Sequence, residues 1–452
     1  MPAPATMAPD RRLDTGALGR ITYVEADRMR RPSLLLALVV LAASIGAGGV
    51  PRPSAAQERR VYAVWPHSDY KPWQADIYAR DPDFVLRELD WMQGVGINTY
   101  LPLALASGRV NWPSERYPDT RVLFGARSPL DIAVRGGDER GVATQLYVLA
   151  GFVGFLEDPW AAPDLRANPE WDVVGASGKG TLSAEAGTAT MWGTFLWWDL
   201  GHPAVQDRLL GMIAEGLDRY PTAEGLHLDY IRDPGLGGCF SDACLARFRA
   251  ATGIAPPDAL ADAAAWAEHI RLHHQEEYTA WRTGEITGLV RRVRELVDRQ
   301  RPGMELAVDV FPGADWAYRG VSQDWRRWAS EGLVDAVYPM FYAEARAQWS
   351  VDDYLRHTLA DLDRRAANAG RRRAALVLGL GTAWYDQLAP AEAEDLIMRA
   401  LAGGADGVAL QNLPYWWNEE YRQFRRYYLP RSESWASLWD YDPMLTRLFR
   451  AP

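Results

Sequence analysis

Cysteine is almost missing from this chain, which has only Cys239 and Cys244 among 452 residues. This scarcity excludes a small scaffold held together by several disulfides. It also argues against zinc, because two cysteines and seven scattered histidines do not form a regular set of four ligands. Since the two cysteines lie close in sequence, we expect a local disulfide in an oxidising compartment, with free thiols or a bound metal as the alternatives.

The chain also lacks a hydrophobic run of the roughly 20 residues that a membrane span needs. A shorter apolar stretch without charge, residues 34–47, follows Met-Arg-Arg at residues 29–31 and precedes the small residues Ser54 and Ala56. This order is typical of a secretory signal. We therefore expect residues 1–56 to be a signal region whose true start is Met29 and which is removed on export to the periplasm or the extracellular space. An uncleaved amino-terminal anchor is the alternative.

Positive charge is scarce relative to negative charge. Residues 57–452 contain 42 basic and 55 acidic residues, a net charge of −13. Because binding to phosphate backbones needs clustered lysine and arginine, this balance argues against a nucleic-acid partner. The sequence predicts no cofactor, no metal and no stable membrane association beyond export.

Aromatic residues, by contrast, are abundant, with 20 tryptophans and 20 tyrosines. Some must fill the core, since tryptophan buries well. Others lie in polar or proline- and glycine-rich surroundings, where flat rings suit stacking on sugars.

Short apolar segments alternate with amphipathic helical ones along residues 57–430, which indicates a parallel sheet. Eight such repeats predict an α/β fold of the (β/α)8 TIM-barrel type. We expect residues 57–430 to form this single catalytic domain and residues 431–452 to be an extension packed on it. The predicted strands are residues 61–65, 97–103, 142–150, 225–231, 304–311, 334–342, 375–381 and 407–413. Long insertions are expected after the third and fourth strands, at residues 151–200 and 232–270, where they would wall a cleft.

The fourth predicted strand ends in a dense polar cluster, Asp229, Tyr230, Arg232 and Asp233. Side chains alternate along a strand, so His227 and Asp229 share the face opposite Leu226 and Leu228. The chemistry of (β/α)8 barrels collects at the carboxyl ends of the strands, which makes this cluster a candidate active site. A structural Arg–Asp pair at the strand end is the alternative interpretation.

Several motifs together resemble the glycosyl-hydrolase-like 10 family of bacterial (β/α)8 proteins. They are Asn-Pro-Glu-Trp at residues 168–171, the segment 198–205, the strand 225–232 followed by Cys239, Cys244 and Phe248, and Tyr-Pro-Met-Phe-Tyr at residues 338–342. The resemblance covers roughly residues 60–420. It departs from the family pattern at Glu224, where aspartate is usual, and at Asp233, where tyrosine is usual. The resemblance implies action on glycans.

Cleavage of a glycosidic bond needs two carboxyl groups, one as proton donor and one as nucleophile or base. Asp229 is the first candidate. We favour Asp309 as the second, because it faces the barrel axis near the end of the neighbouring strand; Glu344, just after the sixth strand, is the rival. Which carboxyl takes which role stays open at this point, and so does the structural alternative that Asp309 only partners Arg232 or His227.

Other polar and aromatic residues at strand ends are candidates for contacts with a carbohydrate substrate. They are Trp65, His67, His227, Tyr230, Arg232, Tyr338, Tyr342, Trp384, Gln411 and Trp416. The leading hypothesis is an exported glycoside hydrolase that acts on a poly- or oligosaccharide. The alternatives are a barrel that binds glycans without cleaving them and a metal-dependent hydrolase, although no strand carries the paired histidines usual in metal-using barrels.

Overall fold

A computed structural model describes residues 60–65, 83–126, 128–185, 188–190, 193–235, 238–257, 262–381, 388–411 and 438–450. Eight parallel strands close into a barrel. They are β1 (Val61–Trp65), β2 (in two pieces, Thr99–Tyr100 and Leu103–Ala106), β3 (Ala143–Leu149), β4 (Gly225–Asp229), β5 (Glu305–Val310), β6 (Ala336–Pro339), β7 (Ala375–Gly381) and β8 (Gly407–Gln411). Each strand pairs in parallel with its neighbours, and β8 pairs with β1 to complete the ring.

Helices surround the strands in the order expected of a (β/α)8 barrel. The structure places them at Phe84–Val95, Arg121–Phe124, Pro129–Arg140, Pro163–Ala167, Pro203–Arg219, Asp242–Thr252, Ala263–His273, Gln275–Gln300, Ala314–Val321, Trp325–Glu331, Ala343–Arg346, Val351–Asn368, Pro390–Ala402 and Leu438–Phe449. The predicted fold class is therefore confirmed. The second predicted strand differs in detail, because a register irregularity between Leu103 and Leu105 accompanies its division into two pieces.

Local sequence signals explain where several helices begin. Ser128, Ser241 and Ser350 each accept a hydrogen bond from the backbone N–H three residues further on, which satisfies a donor that the first helical turn leaves unpaired. Pro203 and Pro390 open two other helices, where the missing N–H of proline is harmless.

The two faces of each strand enter different parts of the core. Leu306, Val308 and Val310 of β5 belong to the large apolar cluster between the strands and the helices. Ala307 belongs instead to the cluster inside the barrel, together with Tyr147 of β3. This alternation follows from the period of two along a strand, and it directs the intervening side chains towards the barrel axis.

Additional elements follow β3 and β4. After β3 the chain forms a three-stranded antiparallel sheet from Phe152–Phe155, Ala189–Thr190 and Gly193–Trp197. After β4 it forms the helices Asp242–Thr252 and Ala263–His273, which pack with the start of Gln275–Gln300 around their own small apolar cluster. Both additions therefore extend the chain beyond the carboxyl ends of strands that carry candidate site residues.

Within the described ranges, none of the helices combines the length and the hydrophobicity that crossing a membrane would require.

Candidate active site

The candidate site lies where β3, β4, β5 and β6 end. Leu228 of β4 lies opposite Val308 of β5 in the sheet register, so Asp229 and Asp309 each come one residue later on their neighbouring strands. Asp309 in turn lies opposite Tyr338 of β6. Because adjacent strands are only about 4.8 Å apart, this register brings the two carboxyl groups close together on the inner face.

Asp229 is buried and held by two donors. The Tyr147 hydroxyl donates to Asp229 Oδ2 over 2.6 Å, and the backbone N–H of Tyr230 donates to Oδ1 over 2.6 Å. Burial, followed by the negative charge of Asp309, raises the pKa of Asp229 to about 6, although the hydrogen bonds oppose the rise. A carboxyl group with this pKa is able to hold or release a proton near neutral pH.

Asp309 is 1% exposed and has a different partner. His227 Nε2 lies 3.0 Å from Asp309 Oδ1, and both side chains are fully buried. This contact is an ion-pair approach outside hydrogen-bonding geometry, and among the described residues no donor forms a hydrogen bond with either oxygen of Asp309. His227 therefore pairs with Asp309, which is the contact that the structural alternative for Asp309 named.

A polar chain continues from His227 towards the amino-terminal end of the barrel. His227 Nδ1 lies 3.0 Å from Gln145 Oε1, and Gln145 Nε2 donates to Glu305 Oε1 over 2.8 Å. Burial raises the pKa of Glu305 above its usual value, and the nearby Asp335 carboxylate adds to the effect. The ring of Tyr338 meets the His227 ring edge-on, with centroids 4.6 Å apart.

Arg232 lies among aromatic rings beside the carboxyl groups. Its guanidinium carbon is 4.7 Å from the Phe311 ring centroid, 4.8 Å from that of Tyr230 and 5.2 Å from that of Trp197. Its positive charge favours the ionised form of Asp229 and so lowers the pKa of that group. Tyr230 adopts a left-handed backbone conformation with φ of 52°, which is strained for a residue other than glycine. Such strain directly beside Asp229 is typical of functional sites.

A buried ionic network anchors the loop after β4. Arg282, with no exposed surface, donates from Nη2 to Asp233 Oδ1 over 2.6 Å and from Nη1 to Asp199 Oδ1 over 2.7 Å. Ser322 Oγ donates to Asp233 Oδ2 over 2.9 Å, and Arg247 also pairs with Asp199. The carboxyl group of Asp233 is therefore engaged in this anchor. The sequence analysis did not identify Arg282. The available signal was its position on the buried face of a helix, beside Thr279, Thr283 and Ile286, where a cation needs an anionic partner.

The sulfurs of Cys239 and Cys244 are bonded to each other. In the described part of the chain, the side chains of Cys239, Cys244 and Asp199 lie close enough together to be considered as ligands of a metal ion. The donor set does not fit a metal ion, because the sulfurs are in a disulfide and Asp199 already pairs with Arg247 and Arg282.

The other candidates from the sequence occupy varied positions. Trp65 is 1% exposed and lies inside the barrel. Gly379 leaves space for its ring, since a Cβ on residue 379 would lie only 3.0 Å from Trp65 Cη2. Gln411 pairs with Trp65 in the register between β1 and β8. Tyr342 is buried, whereas Glu344 is exposed on the short helix Ala343–Arg346. His67, Trp384 and Trp416 lie outside the described residues.

Three polar residues of the site were missed from the sequence: Tyr147, Gln145 and Glu305. All three lie on strands that were predicted correctly. The available signal was the alternation of side chains along β3 and β5, which directs these residues to the inner face of the barrel. Gln145 and Tyr147 are two residues apart and both direct side chains towards β4.

A parallel (β/α)8 barrel with acidic residues at the carboxyl ends of its strands is an architecture found among glycoside hydrolases. Solved structures agree on the fold. The glycoside hydrolase domain of PgaB (BpsB) from Bordetella bronchiseptica matches with a TM-score of 0.56 and 15% identity, over 81% of this chain and 97% of that one. A β-galactosidase from Rahnella sp. R3 matches with a TM-score of 0.53 and 15% identity, over 79% of this chain and 51% of that one.

The family is shown by the sequence itself. A model of the family Glycosyl hydrolase-like 10 matches residues 83–358, more than half of the chain, and the protein belongs to this family. The resemblance inferred from the motifs is thereby confirmed. Among curated proteins, glycosyl hydrolase DigH of Escherichia coli K12 is 22% identical over 301 residues. That match covers 57% of this chain and 57% of the relative, so the two proteins share only part of their lengths.

Proposed function

We propose that the protein is an exported glycoside hydrolase that cleaves glycosidic bonds of a poly- or oligosaccharide with Asp229 and Asp309. One observation carries the proposal: two buried carboxyl groups end adjacent barrel strands in unequal surroundings. Glycosidases need such a pair, with one carboxyl protonated and the other ionised. Family membership and the fold shared with glycoside hydrolases support it.

The surroundings of the two groups suggest their roles. Asp229, with a pKa of about 6, suits the proton donor to the leaving oxygen. Asp309 has a basic partner in His227 and an Oδ2 atom that receives no hydrogen bond from the described residues, which suits the nucleophile or the base that activates water. Neither role requires a metal. Arg232 and the rings around it would form one wall of the sugar site.

The test compares release of reducing sugars from a panel of bacterial and plant polysaccharides by purified residues 57–452 and by single variants. We expect Asp229→Asn and Asp309→Asn each to lower kcat by about 10²–10⁴-fold, the usual contribution of a positioned acid or base. Asp138→Asn, an exposed change of the same type on the outer helix Pro129–Arg140, should keep full activity.

Glu344→Gln separates the two candidates for the second carboxyl. If this variant loses activity while Asp309→Asn keeps it, Glu344 replaces Asp309 in the mechanism. If the wild type releases no sugar from any glycan, but wild type and Asp229→Asn bind the same oligosaccharide equally, the protein is a glycan-binding barrel instead.

A further inference from the structure

The polar chain behind Asp309 determines where protons can lie. Gln145 Nε2 donates to Glu305 Oε1, so the amide oxygen of Gln145 is the atom that faces His227 Nδ1 at 3.0 Å. An amide oxygen carries no hydrogen, and Nδ1 must therefore carry one. The opposite amide orientation would direct the Gln145 oxygen at Glu305 Oε1, where a hydrogen bond forms only if the Glu305 carboxyl group is protonated.

On the other side of the ring, the contact between His227 Nε2 and Asp309 then requires one further proton. His227 Nε2 and Asp309 Oδ1 lie 3.0 Å apart as an ion pair rather than in hydrogen-bonding geometry, and at this distance an unprotonated nitrogen beside a carboxylate would leave two electron-rich atoms in contact. The proton can be on the imidazole, which gives an imidazolium and a carboxylate, or on Asp309, which gives two neutral groups. The carboxyl groups that surround this ring favour its charged form, and so the ion pair.

The remaining groups around the ring favour a positive charge or are neutral. They are Asp229 on the same strand, Asp309 and Glu305 on β5, Tyr147 on β3 and Tyr338 on β6. Within the described ranges, the ion pair formed by these carboxyl groups is the one between Asp309 and His227. Arg232, the cation that acts on Asp229, is stacked between rings.

We propose that His227 is a positioning residue whose imidazolium, oriented by Gln145 and Glu305, keeps Asp309 ionised while Asp229 holds the proton. This inference rests on the proposed function and goes beyond it, since it explains how two buried carboxyl groups on adjacent strands stay in different protonation states. The site then contains one proton donor and one anion without any metal.

The first test reads the charge of His227 without using activity. Protein labelled with ¹⁵N-histidine is examined by long-range ¹H–¹⁵N NMR, with the His227 signals assigned by their loss in His227→Gln. We expect protons on both ring nitrogens at pH 6 in the wild type. In Gln145→Met, which removes the acceptor for Nδ1, and in Asp309→Asn, which removes the anion, the doubly protonated ring should disappear at a lower pH than in the wild type. Glu295→Gln, an exposed change on the outer helix Gln275–Gln300, should leave the spectrum unchanged.

The second test reads the effect on the reaction. The amide of glutamine can still donate to Asp309 but has no charge, so His227→Gln should keep KM within about threefold and lower kcat by about 10–100-fold. The pH profile of kcat/KM should differ from that of the wild type, because the positive charge beside Asp309 is lost.

An unprotonated Nε2 at pH 6 in the wild type would overturn the proposal, and so would a His227→Gln profile that coincides with that of the wild type. If no glycan is cleaved at all, the proposed function fails, while the NMR measurement still decides the charge of His227. The two failures can therefore be told apart.

Discussion

At the scale of residues, the site depends on side chains that modify one another. Asp229 receives a hydrogen bond from Tyr147, which favours its ionised form, and lies near Asp309, which disfavours it. The sequence indicated Asp229 and Asp309 through their places at strand ends. It did not indicate Tyr147, because a tyrosine in a buried strand has the same pattern whether it fills the core or donates to a carboxylate.

These opposing influences predict pKa changes of opposite sign. Tyr147→Phe removes a donor to the carboxylate, so the pKa of Asp229 should rise further above 6. Asp309→Asn removes a neighbouring negative charge, so the pKa should fall below about 6, while burial still keeps it above the usual value. A titration of the ¹³C-labelled Asp229 carboxyl by NMR measures both changes. The idea fails if the two variants shift the titration in the same direction; Asp138→Asn serves as the control and should leave it in place.

The same shift has a consequence for activity. If the protonated form of Asp229 is the active one, kcat/KM of the wild type should decline as pH rises through about 6. Tyr147→Phe should move that decline to higher pH.

At the scale of elements, the barrel depends on close approaches between strands. Val61 of β1 lies opposite Gly407 of β8, where the ring closes. A Cβ on residue 407 would lie 2.1 Å from the backbone oxygen of Val61, which cannot move without breaking the pairing. Glycine is therefore required here for space, and the alternation of strands and helices in the sequence did not reveal this.

Replacement of this glycine should weaken closure of the barrel. We expect Gly407→Ala to lower the free energy of unfolding by about 1–3 kcal/mol, the usual effect of overpacking. Gly284→Ala is the matched control, because nothing lies within 4 Å of a Cβ at that exposed helical position. It should be neutral or stabilise by up to about 1 kcal/mol. Urea denaturation measures both, and equal stability of the two variants would contradict the argument.

At the scale of the whole molecule, the expected secretory signal and the cysteine pair are consistent with each other. A bond between Cys239 and Cys244 closes a short loop beside the ionic network, and such bonds persist in oxidising compartments. Export remains a prediction from the sequence, since residues 1–56 lie outside the described part of the chain.

Expression of the full chain in a Gram-negative host tests export. We predict a mature protein in the periplasm or the medium that begins at Gln57, because small residues at positions 54 and 56 suit signal cleavage. Sequencing of the amino terminus after cell fractionation provides the measurement. A cytoplasmic protein that keeps residues 29–56 would show that the apolar stretch is not a cleaved signal.

The sequence by itself determined the (β/α)8 fold, the approximate place of every barrel strand and the family, because hydrophobic periodicity and motif spacing are local properties of the chain. Only the tertiary structure decided which polar groups meet. Tyr147 and Asp229 are 82 residues apart, and so are Gln145 and His227, while Arg282 and Asp199 are 83 apart. Such contacts arise when the barrel closes and sets the register between strands, and no local pattern encodes that register.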